Sequence, residues 1–212
     1  MSLHSLILIP FLLFLLPFSA LCETRITVLG DSLTAGYGLA ADDAFPARLG
    51  NSLRTAGHAV TVINAGVSGD TTAGGRARLD WLLADRPDAL IVELGGNDAL
   101  RGLDPEQTRA NLAAILERLQ QERIPVLLAG MRAPRNLGRE YTAEFDRIFP
   151  ELAEHYDLLF YPFFLDGVVG SPQLNQADGI HPNAQGVAVI VERLLPLAKE
   201  LIHQASAPTS AD

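Results

Sequence analysis

The chain has 212 residues, 48% hydrophobic and 19% charged, with 16 basic against 25 acidic side chains and a formal net charge of -9. A chain of that length and composition buries a full core without cross-links, and disorder is excluded for most of it. The acidic excess leaves no basic surplus to neutralise phosphates, so nucleic acid is excluded as a partner. The single cysteine, Cys22, rules out an intrachain disulfide framework, a CxxC redox pair and a thiolate metal cluster. Catalytic chemistry has to come from oxygen and nitrogen groups.

Residues 3–21 (LHSLILIPFLLFLLPFSAL) are almost wholly apolar, and no charged side chain occurs before Glu23. Residues 1–22 read as an export signal: Pro10 and Pro17 interrupt the apolar stretch, and Ala20 and Cys22 supply small residues at -3 and -1 of a cut before Glu23. Two features depart from that pattern. The n-region lacks Lys and Arg, and the run is nearly long enough to span a bilayer, which keeps a retained anchor open as an alternative. Lipid attachment at Cys22 fits poorly because Leu21 precedes it. The expectation is a mature chain beginning near Glu23, periplasmic or secreted, with no stable membrane insertion after cleavage.

Beyond Glu23, short β-branched runs alternate with longer helical stretches, the punctuation of βαβ units. Strands are expected at residues 25–29 (RITVL), 59–63 (AVTVI), 89–94 (ALIVEL), 125–129 (PVLLA) and 158–161 (LLFY). Their near-continuous apolar character suits parallel strands covered on both faces. Helices are expected at 45–56, 73–84, 105–121, 142–156 and 183–203. In the third of these Asp104 caps, Pro105 takes the first helical position, and Ile115, Leu116 and Leu119 recur at helical spacing. No repeat or linker divides residues 23–204, and only the tail from Ala205 reads as frayed. The fold class is α/β, one domain with a parallel sheet between helix layers.

The polar residues gather where the first three strands end. Strand one runs into Gly30-Asp31-Ser32-Leu33-Thr34, strand two into Asn64-Ala65-Gly66-Val67-Ser68-Gly69-Asp70-Thr71, and strand three into Gly95-Gly96-Asn97-Asp98. In an open parallel sheet these turns open at the carboxyl edge, where ligands bind. A fourth block, Asp178-Gly179-Ile180-His181-Pro182, precedes the last helix. Ser32, exposed at a strand-to-helix turn, is the candidate nucleophile, and a hydroxyl needs a base and an orienting group to act near neutral pH. His181 is the candidate base and Asp178 its orienter; Pro182 biases His181 toward an extended conformation that aims the ring outward. The Ser32 and Gly69 amides and the Asn97 side chain are the available oxyanion donors. Singly, each piece has a plainer reading: Asp31 and Ser32 as helix caps, the glycines as turn residues, Asp178-Gly179 as a turn pair. The Gly-x-Ser-x-Gly elbow of the α/β-hydrolases is absent.

The four blocks GDSLTAGYG from Gly30, NAGVSGDT from Asn64, ELGGNDALRG from Glu93 and DGIHPN from Asp178 together resemble the GDSL or SGNH hydrolase family, and in particular its exported bacterial thioesterase I/arylesterase/lysophospholipase branch. The resemblance covers about residues 24–201. It implies a three-layer α/β/α sandwich with a five-stranded sheet in flavodoxin-like order, Ser32 as nucleophile, His181 and Asp178 as its partners, and Ser32, Gly69 and Asn97 as oxyanion donors. It implies no metal and no cofactor. The substrate is then a small acyl ester or thioester held by the loops after Asp98 and Met131, with Leu100, Leu103, Met131, Ala133 and Leu137 as candidate lining. A monomer is expected. Two other readings of the same residues stay open: a metal-dependent phosphoesterase built from Asp31, Asp70, Asp98, Asp178 and His181, and a non-catalytic binding protein for anionic ligands.

Overall fold

The first strand, β1 (Thr24–Gly30), is buried at every position but one and lies between two parallel neighbours, β2 (Val60–Gly66) and β3 (Ala89–Glu93). Further out, β4 (Val126–Ala129) pairs with β3, and β5 (Leu159–Tyr161) with β4. All pairs are parallel and the order is β2-β1-β3-β4-β5, the flavodoxin-like order. This computed structural model describes residues 23–207. The expected export signal, residues 1–22, therefore lies outside the described residues, as does the tail beyond 207. Among the described residues no helix is long and apolar enough to cross a membrane.

Among the described residues eight α-helices cover the sheet: α1 (Ser32–Ala35), α2 (Phe45–Thr55), α3 (Thr72–Ala77), α4 (Leu79–Leu83), α5 (Gly96–Leu100), α6 (Pro105–Gln121), α7 (Arg139–His155) and α8 (Ala184–Ser206). Helices α2 and α8 pack together on one side, while α6 meets α3 and α7 on the other. The core between the layers follows the apolar runs: Ile26, Leu90, Ile91, Val92 and Leu127 from the strands meet Leu49, Leu112, Phe145 and Leu194 from the helices, all fully buried. Charged residues are missing from β3 except for Glu93, which is fully buried.

Beyond the short helices α1 and α5 and the extension of β2 through Gly66, three elements differ from the sequence expectation for reasons visible in the structure. The helix expected at 73–84 is two helices, because Arg78 leaves the helical region (φ -104, ψ 4) and sends its side chain to the sheet edge. Helix α7 begins three residues early, at Arg139; Gly138 at φ +91 precedes it and its carbonyl accepts from the Thr142 hydroxyl at 2.9 Å. At the other end, α8 runs through Ser206 instead of fraying from Ala205. Leu201 and Ile202 are buried, Ala205 packs against the core, and the Ser206 hydroxyl donates to the Ile202 carbonyl at 2.8 Å.

Candidate active site

The chain reverses its direction of travel across the sheet between β1 and β3, which makes their carboxyl ends the crevice where a doubly wound sheet takes a ligand. At the end of β1, Asp31 caps α1 by accepting the Leu33 N–H at 2.9 Å, and Ser32 is the first helical residue. The turn is tight enough to demand glycine: a Cβ on Gly30 would stand 2.0 Å from Thr34 Oγ1 and 2.6 Å from Glu93 Oε2. Capping and presentation of the hydroxyl are thus both present, on neighbouring residues.

His181 arrives from the other end of the chain. Gln176 N–H donates to the His181 carbonyl at 2.8 Å, and an isolated bridge joins Asn175 to Pro182, so the segment before α8 is held extended. The Asp178 Oδ1 accepts the Ile180 and His181 backbone N–H groups at 2.9 and 3.0 Å, which leaves Oδ2 facing His181 Nδ1 at 2.7 Å. Those bonds, the His181 backbone N–H first and its ring second, hold the Asp178 carboxyl down at about 2. An ionised carboxylate only accepts, so Nδ1 carries the proton and Nε2 is free to accept. That nitrogen lies 2.9 Å from Ser32 Oγ. Three residues separated by up to 149 positions therefore form one continuous hydrogen-bonded chain. The Tyr37 ring lies against the imidazole, centroid to centroid 4.7 Å.

The expected oxyanion donors come from the same edge. As the first residue of α1, Ser32 has a backbone N–H with no acceptor inside the helix. Gly69 sits at φ +85, a conformation that favours glycine, and among the described residues its N–H donates to no backbone carbonyl. Asn97 differs from the simple picture. Both hydrogens of its amide are engaged, one bonded to Asp31 Oδ2 at 3.0 Å and the other to the Asp70 carbonyl at 2.9 Å. Burial pushes the Asp31 carboxyl up to about 6, against the lowering pull of the Leu33 N–H and Asn97 bonds. Behind it Glu93 accepts the Thr34 hydroxyl at 2.6 Å through Oε2, and burial followed by the Asp31 charge raises its carboxyl well above the ordinary range. The carboxylates weighed as metal ligands turn to different partners: Asp31 to Asn97, Asp70 to Arg78, Asp98 to Thr72, and Asp178 to His181.

Ser32, Asn97 and His181 open into a cavity of about 500 Å³. Leu100, Met131 and Ala133 line it as the sequence suggests, but Leu103 and Leu137 do not. Leu103 is drawn away past the end of α5, its N–H bonded to the Asp98 carbonyl and its carbonyl accepting the Tyr141 hydroxyl at 2.8 Å. Leu137 closes the 3-10 turn Arg135–Leu137. Their places are taken by Phe163, Leu165 and Val169 from the loop after β5, and Arg132 and Arg135 stand at the same wall. The sequence signal for that loop was its position: it follows a strand of the same parallel sheet and opens at the same edge. Gly69 lies outside the residues lining the cavity.

A family model described as GDSL-like lipase/acylhydrolase matches residues 28–189. The chain belongs to that family. This GDSL-family protein is 40% identical over 200 residues to the thioesterase 1/protease 1/lysophospholipase L1 of Escherichia coli K12, covering 93% of this chain and 95% of that protein. It is 41% identical over 191 residues to the esterase TesA of Pseudomonas aeruginosa, covering 90% and 94%. Among solved structures, AlinE4, an esterase of the SGNH-hydrolase family, superposes with a TM-score of 0.72 at 50% identity, over 84% of this chain and 96% of that one. The GDSL-family chain is accordingly a serine hydrolase that acts on ester bonds, which decides among the three readings of its sequence.

Proposed function

We propose that the enzyme hydrolyses carboxylic esters and thioesters through an acyl-Ser32 intermediate. The observation that carries this reading is the unbroken chain from Ser32 Oγ to His181 Nε2 at 2.9 Å and from His181 Nδ1 to Asp178 Oδ2 at 2.7 Å, on the wall of a largely apolar cavity. His181 takes the Ser32 proton as the hydroxyl oxygen attacks the carbonyl carbon, and Asp178 holds the tautomer and offsets the charge that forms on the ring. The tetrahedral oxyanion is met by the Ser32 and Gly69 N–H groups and by Asn97, which shares one amide hydrogen now held by Asp31 or the Asp70 carbonyl. Collapse expels the alcohol or thiol with the proton from His181. Water, deprotonated by His181, then attacks the acyl carbon, and the Oγ–acyl bond breaks as His181 returns that proton to Ser32 Oγ and the free acid leaves.

The substrates in this reading are aryl esters, short- to medium-chain acyl esters, acyl thioesters and lysophospholipids. The apolar wall formed by Leu100, Met131, Ala133, Phe163 and Leu165 suits an acyl chain, and the names of the Escherichia coli and Pseudomonas aeruginosa relatives fit the same range. The enzyme acts as an exported monomer. Ser32→Ala is the test: it abolishes turnover of p-nitrophenyl butyrate while the circular dichroism spectrum stays unchanged, and a fluorophosphonate labels the wild type at Ser32 and not the variant. Turnover retained by folded Ser32→Ala overturns the reading.

A further inference from the structure

Arg78 sits in the break between α3 and α4, outside the cavity, and its guanidinium is mostly withdrawn from solvent, with a side chain 20% exposed. Its three nitrogens go to three different places. Nε donates to Asp70 Oδ2 at 2.7 Å, Nη1 to the Ala65 carbonyl at 2.7 Å and Nη2 to the Gly30 carbonyl at 2.9 Å. Gly30 is the last residue of β1 and stands two positions before Ser32. Ala65 is the next-to-last residue of β2, whose turn carries Gly69. Asp70 is the residue whose carbonyl holds the Asn97 amide at 2.9 Å. One side chain thus touches the element behind the nucleophile, the element behind the Gly69 amide and the residue that holds the third donor.

We propose that Arg78 is a positioning residue that sets the separation between Ser32 and its oxyanion donors; this rests on the acyl-serine reading above. Three acceptors pointing in different directions call for a planar fork, which an arginine supplies and a single ammonium does not. The surroundings are shaped to receive it. A Cβ on Gly74 would stand 2.2 Å from Asp70 Oδ1, so glycine there leaves room for the carboxylate that faces Arg78. The Gly30 carbonyl also accepts the Val67 N–H at 3.0 Å, and the Val67 carbonyl accepts the Asp70 N–H at 3.0 Å, so the guanidinium closes a ring of bonds that includes both ends of the oxyanion turn. Misplacing reacting groups by about 1 Å costs on the order of 100-fold in rate, which is why a residue that touches no substrate governs turnover here.

The test compares wild type, Arg78→Lys, Arg78→Ala and Ser32→Ala on p-nitrophenyl butyrate, with thermal unfolding of each. Arg78→Lys and Arg78→Ala lower kcat by about 10- to 100-fold with KM within about twofold, and ethylguanidinium at millimolar concentration restores kcat to Arg78→Ala in a saturable way while leaving wild type unchanged. A merely structural role predicts a lower Tm with kcat per folded molecule intact and no response to ethylguanidinium, and that result overturns the proposal. Should Arg78→Ala not fold, Arg78→Lys decides by its kcat alone, a wild-type value sinking the idea. Activity in Ser32→Ala would instead remove the acyl-serine reading, whereas an inactive Ser32→Ala beside fully active Arg78 variants removes only the role given to Arg78.

Discussion

The Asn97 side-chain amide donates to the Asp31 carboxylate at 3.0 Å, tying the first turn of α5 to the residue before Ser32. Asp31 is 2% exposed, so this bond is made away from water and fixes the Asn97 side chain beside Ser32. Asn97→Ala removes the side-chain donor proposed for the oxyanion and leaves Asp31 one donor short. The expected outcome is a fall in kcat of about 100- to 1000-fold with KM little changed, together with a loss of about 1–3 kcal/mol of stability from the undersatisfied buried acceptor. Steady-state kinetics and urea unfolding of the purified variant check both, and an unchanged kcat would remove Asn97 from the oxyanion site.

Asp178 is exposed, yet both of its oxygens are committed to residues 180 and 181. Asp178→Asn preserves the shape but presents an NH2 or a neutral oxygen to Nδ1, which no longer secures the tautomer that leaves Nε2 free to accept. Turnover of p-nitrophenyl butyrate falls by about 1000- to 10000-fold, with the fold intact. Because the native carboxyl is held at about 2, its ionisation is complete well below neutrality. The acid limb of the wild-type kcat profile therefore reports some other group, and a limb centred near pH 2 would contradict that assignment.

Asp31 makes the opposite contribution to stability. Burial raises its carboxyl from the ordinary 3.8 to about 6 in the folded chain, so between those values the folded state binds more protons than the unfolded one. Stability contributed by this group is then highest below pH 3.8 and is lost as pH rises through about 6, by about 3 kcal/mol in all. Asp31→Asn cannot ionise, and it also removes the charge that helps to raise Glu93. Relative to wild type, the variant becomes more stable as pH is raised from 4 to 7.5, in the direction set by Asp31. Urea unfolding of both proteins across that range is the measurement; parallel pH profiles would show that Asp31 is not the group responsible.

How much of this could be read from the chain before folding depended on whether local chemistry or tertiary contact set each feature. The β-branched runs define the strands because a parallel strand buried on both faces needs apolar residues at nearly every position, as Leu90, Ile91 and Val92 do. The meeting of Ser32, His181 and Asp178 is legible because sheet topology brings strand ends to one edge, so polar residues at several ends imply a meeting. The break at Arg78 was not legible: the residues around it suit one helix, and Asp70 together with the carbonyls at the ends of β1 and β2, distant in the chain, draws the side chain out. Leu103 and Leu137 were assigned to the cavity by loop position, but Tyr141 and a 3-10 turn hold them elsewhere. Phe163, Leu165 and Val169 carry no local signature, since an apolar loop after a strand looks the same whether it lines a cavity or packs inward.

The cavity wall makes a last prediction about acyl length. Ala133 is 5% exposed, its N–H held by Asp146 Oδ1 at 2.8 Å, so its backbone is fixed while its small side chain leaves space beside Met131 and Phe163. Ala133→Phe fills part of the roughly 500 Å³ without touching Ser32 or His181 chemistry. Each methylene that no longer fits forfeits about 0.8 kcal/mol of transfer energy, so two or three lost methylenes lower kcat/KM by about 10- to 50-fold. The acetate ester, which does not reach that wall, keeps its rate. A series of p-nitrophenyl esters from acetate to laurate measures this directly: the ratio of laurate to acetate kcat/KM falls in the variant by that factor. A uniform loss at every length would instead mean that Ala133 supports the catalytic geometry and does not bound the acyl chain.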